Sequence, residues 1–60
     1  MEVFEYEIES DGREYVVYEI PIYGEKPSLY RIFEQERLNF SRGEKVRISY
    51  QFCHTEEFIA

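Results

Sequence analysis

Asp11-Gly12 lies between two stretches that alternate apolar and polar residues, and this pattern restricts the first third of the chain to a β-hairpin. From Glu2 to Glu9, Phe4, Tyr6 and Ile8 point one way while Val3, Glu5, Glu7 and Glu9 point the other. Period two with aromatic and β-branched residues marks a half-buried strand. Gly12 supplies a positive φ without a Cβ penalty, so Ser10-Asp11-Gly12-Arg13 is the turn. A second strand then runs from Glu14 or Tyr15 to about Tyr23, with Pro21 confining its end to an edge or a bend.

Two registers compete for this hairpin. A two-residue Asp11-Gly12 loop sets Tyr6 opposite Val17 and Glu7 opposite Val16, so Val16, Tyr18 and Ile20 share a face with the glutamates. A three-residue Ser10-Asp11-Gly12 loop with Gly12 in a bulge shifts the pairing by one. Phe4 then faces Tyr18, Tyr6 faces Val16, Glu7 faces Tyr15 and Glu9 faces Arg13. In that register Phe4, Tyr6, Ile8, Val16, Tyr18, Ile20 and Ile22 all lie on one side, leaving Tyr15 and Tyr23 outside among the acids. A one-residue slip flips a whole strand, so burial favours the second register.

Gly24-Glu25-Lys26-Pro27 is a loop. Ser28 to about Leu38 reads as a helix: Ser28 is an acceptable N-cap, Leu29, Ile32 and Phe33 form a stripe, and Glu34 to Arg37 are good helix formers. Glu36 interrupts the stripe. After a connection punctuated by Gly43, Lys45 to Phe52 alternates well, with Val46, Ile48, Tyr50 and Phe52 inward. His54 to Ala60 reads as a tail anchored by Phe58 and Ile59. The expected fold is therefore α+β, over residues 1–60 as a single small domain. It is a three-stranded antiparallel sheet (hairpin–helix–strand, order 2-1-3) with one helix on the apolar face. Glu5, Glu7 and Glu9 would then neighbour Lys45 and Arg47. The alternative is a small all-β SH3-like barrel.

Sixty residues bury only roughly 60% of their unfolded surface, so the core is marginal. An apolar fraction of 43% with 18% aromatics is nevertheless too high for a disordered segment. The chain contains no apolar run near the ~20 residues of a membrane helix. Its first residues, Met1-Glu2-Val3-Phe4-Glu5, lack the basic start of a signal peptide. A single Cys forms no internal disulfide, which suits a reducing, cytoplasmic setting.

Catalytic, cofactor and metal sites are not expected. Cys53 and His54 are neighbours in sequence, so on a strand their side chains diverge and do not make a nucleophile–base pair. One His and one Cys exclude an all-Cys/His zinc site within the chain, and His54-Thr55-Glu56-Glu57 is a weak metal signal. The glycines are isolated, so no phosphate-cradling loop is present. The carboxylates are many but alike, without the contrasting environments that acid–base catalysis uses.

Charge is more informative. The formal net charge is −6, and it is concentrated in the hairpin: residues 1–25 carry eight acids against Arg13 alone. Glu5, Glu7 and Glu9 recur every second residue, ~6.7 Å apart on one strand face. Asp11 and Glu14 extend the row around the turn, and Tyr15 flanks it. Such a row either keeps a sheet edge solvated or docks on a basic surface. The global sign disfavours direct binding of nucleic acid.

These features lead to the expectation of a small, acidic, non-enzymatic protein-binding module. Glu5, Glu7, Glu9, Asp11, Glu14 and Tyr15 would contact a protein partner with a basic surface, such as a nucleic-acid-binding enzyme, and occlude it. In size and charge the chain is similar to small inhibitors encoded by phages and mobile elements, such as anti-CRISPR proteins and DNA mimics. The alternative expectation is a structural or accessory subunit that self-associates, for instance as a homodimer. No membrane partner and no cofactor are expected.

Overall fold

The computed structural model describes residues 2–21 and 24–60. The expected inward Ile22 and outward Tyr23 lie outside the described residues. The elements are β1 (Phe4–Ser10), β2 (Arg13–Glu19), α1 (Leu29–Glu36), a 3₁₀ turn (Arg37–Asn39), β3 (Lys45–Tyr50) and β4 (His54–Ile59). They form an α+β domain with one antiparallel sheet in the order β2-β1-β3-β4. The order 2-1-3 is as expected. The fourth strand replaces the expected tail, and among the described residues β2 and β4 are edge strands, so the sheet is open and not a closed barrel. No helix among the described residues is long and apolar enough to cross a membrane.

The hairpin adopts the two-residue loop rather than the bulge. Ser10 pairs with Arg13, Glu9 with Glu14, Glu7 with Val16, Tyr6 with Val17 and Glu5 with Tyr18. Asp11 and Gly12 both have positive φ, 50° and 78°, as a type I′ turn requires. Two effects decide the register. The twist of this turn matches that of the flanking strands, and Asp-Gly suits its two left-handed positions. Burial gives little opposition, because Tyr15-Val16-Val17-Tyr18 presents one Tyr and one Val to each face whichever way it is set. Val16, Tyr18 and Ile20 are therefore exposed by 42%, 62% and 57% instead of buried.

One sheet face is covered by α1. Its core comprises Tyr6, Ile8, Leu29, Ile32, Phe33, Val46 and Ile48, each at most 5% exposed. Ser28 caps the helix by accepting from the Arg31 N–H at 3.1 Å, as its position suggested. Glu36, the polar break in the stripe, accepts from the Tyr15 hydroxyl at 3.3 Å and from Asn39 Nδ2 at 3.0 Å. The Tyr6 hydroxyl donates to the Pro27 carbonyl at 2.5 Å and ties the loop before α1 to the central strand. Phe33 stacks on Phe58 with centroids 4.9 Å apart, which anchors β4 to the helix. Burial pushes the Tyr6 phenol up to about 12, with the neighbouring Tyr50 and Glu19 adding to the effect.

A second polar hub closes the far end of the sheet. Ser10, only 4% exposed, donates its hydroxyl proton toward Glu44 and lies 2.7 Å from the Lys45 carbonyl. Glu44 also accepts from the Ser41 N–H at 2.9 Å and from Arg13 at 2.6 Å. Those bonds, that from Ser10 foremost, hold its carboxyl below the usual range.

β3 ends at Tyr50, two residues earlier than expected, in a turn at Gln51, Phe52 and Cys53. Gln51 and Phe52 occupy the left-handed region with φ of 49° and 60°. Neither residue is a usual turn former, so the sequence carries no turn signal there. Phe52 was expected inside; it is 78% exposed.

Candidate functional site

Among the described residues nothing covers the face of the sheet opposite α1, and strand alternation decides what stands on it. From β1 come Glu5, Glu7 and Glu9, and from β2 come Glu14, Val16 and Tyr18. β3 contributes Lys45, Arg47 and Ser49; β4 contributes Thr55, Glu57 and Ile59. The expected row of carboxylates is thus on one face, but it stands beside apolar side chains. Val16 lies directly across from Glu7 and Tyr18 across from Glu5.

An open groove of about 590 Å³ runs over this face between Glu7, Glu9, Glu14, Val16, Arg47 and Phe52, among others. Three of its features shape the local electrostatics. Glu9 and Glu14 oppose each other across the strand pair, a like-charge juxtaposition that is unfavourable by itself. Arg47 relieves it, lying 3.3 Å from Glu9 and 3.3 Å from Glu57. Glu7 is half-buried: one carboxylate oxygen accepts from the Phe52 N–H at 2.9 Å, and the other is buried without a hydrogen-bond partner. That bond fixes the β3–β4 turn and holds the exposed Phe52 ring at the rim of the groove.

The residues singled out from sequence separate into three groups. Glu5, Glu7, Glu9 and Glu14 do share the open face, although Glu7 and Glu9 already have partners within the chain. Asp11 sits in the exposed hairpin loop at the end of the row. Tyr15 is a correction. The two-residue loop turns it to the helix side, where its hydroxyl reaches Glu36 and burial raises its pKa. Val16, Tyr18 and Phe52 take its place on the open face, beside Arg47, which strand alternation sets there as expected. The Asp11-Gly12 pair pointed to the first two; nothing in the sequence marked Phe52 as exposed.

Cys53 and His54 do not meet as a catalytic pair. The exposed Cys53 thiol lies 3.3 Å from the Tyr50 carbonyl, and His54 Nε2 lies 3.8 Å from Glu56. Among the described residues no three His, Cys, Asp or Glu side chains are grouped to hold a metal ion.

Together these features define a small α+β domain with a helix on one side of an open sheet and an acidic, partly aromatic face on the other. No protein-family model matches the chain, and searches of curated proteins and of solved structures find no match either.

Proposed function

We propose that this chain is a small, non-enzymatic protein-binding module that uses its open sheet face to cover a basic, nucleic-acid-binding surface on another protein, in the manner of phage-encoded anti-defence and anti-CRISPR inhibitors. One observation carries this: Glu5, Glu7, Glu9 and Glu14 share an uncovered face with the exposed Val16, Tyr18 and Phe52. A few buried anchors, aromatic ones such as Tyr above all, supply most of the affinity of a protein interface, while surrounding charges select the partner and speed its approach. With a net charge of −6, that partner is basic, and nucleic acid itself is repelled. The exposed thiol of Cys53 suits a reducing compartment, and the function is proposed for the cytoplasm.

The test compares the parent protein with a Glu5→Gln/Glu14→Gln variant and with Tyr18→Ala as baits in a nuclease-rich lysate. These positions are chosen because, unlike Glu7, they hold no turn. The captured protein is expected to be basic, to be released by salt, and to lose its nucleic acid when the parent protein binds. Both variants are expected to bind more weakly, and the amide variant to show a shallower salt dependence. Equal capture and equal salt dependence for all three proteins would refute occlusion by this face.

A further inference from the structure

We propose that the free edge of β2 is a self-pairing surface, on which a second copy of this chain docks antiparallel to extend the four-stranded sheet into a continuous eight-stranded one. β2 pairs only with β1, and its other edge is unpaired among the described residues. In a two-residue hairpin the closing pair, here Ser10 and Arg13, is a hydrogen-bonded one. Alternation then directs the N–H and C=O groups of Glu14, Val16 and Tyr18 away from β1, toward the free edge.

The order of side chains along β2 is complementary to itself. With the twofold axis at Val16, Val16 meets the partner's Val16, and Glu14 meets the partner's Tyr18. Tyr15 meets the partner's Val17, and Arg13 meets the partner's Glu19. No like charges oppose each other, and an Arg–Glu pair closes each end. Pro21, which has no N–H, lies just beyond and limits the pairing to the strand.

β4, the other edge, fails the same test. A twofold antiparallel pair keeps each side chain on its own face and so centres on one residue; about the middle of His54–Ile59 it sets Glu56 against the partner's Glu56 or Glu57 against the partner's Glu57, the kind of charge that keeps an edge single. Burial favours β2 as well. Val16 and Tyr18 are well exposed on one face, while Tyr15 and Val17 are only half-buried on the other. A second β2 flanks all four residues and shields part of their apolar surface while leaving the sheet face open. The open faces of the two copies would be continuous across the axis, so the dimer is compatible with the proposed basic partner and independent of it.

Salt separates the two interactions. Each copy carries −6, so screening strengthens self-association, whereas it weakens docking on a basic partner. Sedimentation of the full chain is expected to show a concentration-dependent shift from 7.4 kDa toward twice that mass, more complete at high salt. In Val16→Pro the proline takes the place of an edge-facing N–H, and the protein is expected to stay monomeric with an unchanged circular dichroism spectrum. Because that variant tests pairing only if it folds, a second measurement uses Val16→Cys in a Cys53→Ser background. Hydrogen-bonded antiparallel residues sit ~5.5 Å apart at Cα, within disulfide range. Oxidised glutathione is expected to cross-link Val16→Cys at least about tenfold faster than Thr55→Cys in the same background. A monomer at all concentrations in high salt, a dimer that persists in folded Val16→Pro, or equal cross-linking of the two cysteine variants would each overturn β2 pairing.

Discussion

Replacing Tyr6 by Phe tests how the helix is held on the sheet. Tyr6 is fully buried on the central strand, and its hydroxyl donates to the carbonyl of Pro27, itself buried just before the Ser28 cap. Removing the hydroxyl deletes that bond and leaves a buried acceptor unpaired, at a cost of about 1–3 kcal/mol. For 60 residues the total stability is of order 3–9 kcal/mol, so a loss of this size is a substantial fraction of it. For a small domain each kcal/mol corresponds to roughly 4–8 °C in melting temperature.

The same residue predicts a pH effect. Its phenol is raised from 10.0 to about 12 by burial, so between those values the folded chain holds a proton that the unfolded chain releases. The contribution of this phenol is therefore complete below pH 10 and is lost as pH rises toward 12, a loss of about 2 kcal/mol. Tyr6→Phe is expected to be less stable at neutral pH and to lose less between pH 10 and 12. Tyr15, raised by burial, and Tyr30, raised by its hydrogen bond to Glu34, add to that alkaline loss. Urea unfolding followed by circular dichroism at neutral and alkaline pH measures both effects. A variant as stable as the parent at pH 7, with the same alkaline decline, would refute the buried Tyr6–Pro27 tie.

The acid limb is shared by Glu34, lowered first by its hydrogen bond from Tyr30, and by Glu44. The Glu44 carboxyl is held below 4.5 by Ser10 and Ser41, so its contribution is present above pH 4.5 and is lost as pH falls through the lower folded value; urea midpoints of Glu44→Gln are expected to fall less steeply below pH 4.5 than those of the parent. Ile32→Ala empties a fully buried site between helix and sheet and is expected to cost about 2–5 kcal/mol, a large share of the total stability, read as a lowered melting temperature. Arg47→Gln removes two exposed contacts at 3.3 Å, to Glu9 and Glu57, and is expected to lower stability by less than about 1 kcal/mol, with the deficit shrinking as salt is added to the urea titration.

Much of the architecture was legible because its signals agree. Alternation in β1 and β3, the Ser28 cap and the Leu29-Ile32-Phe33 stripe all specify one helix packed on an antiparallel sheet in the order 2-1-3. The β2 register does not follow from alternation, because Tyr15-Val16-Val17-Tyr18 is apolar on both faces, so burial has no preferred side and the Asp11-Gly12 turn decides. Tyr15 left the candidate site, and Val16 and Tyr18 entered it, by that one-residue shift. β4 was hidden because Gln51 and Phe52 form its turn in left-handed backbone without glycine or asparagine, and because Glu56 and Glu57 are poor strand residues. The carboxylate row survived because β1 alone specifies it. Its partial neutralisation was legible as well, since the order 2-1-3 sets Arg47 beside Glu9 through strand pairing.

The decisive measurement is a proton NOE spectrum of the hairpin, since non-hydrogen-bonded antiparallel pairs bring their Hα atoms into close contact. With Glu5, Glu7, Val16 and Tyr18 together on the open face, strong Hα–Hα contacts are expected for Glu5–Tyr18, Glu7–Val16 and Glu9–Glu14. Contacts of Glu7 with Tyr15 and of Glu5 with Val17 in their place would turn Val16 and Tyr18 under the helix and leave the acidic face without its apolar anchors.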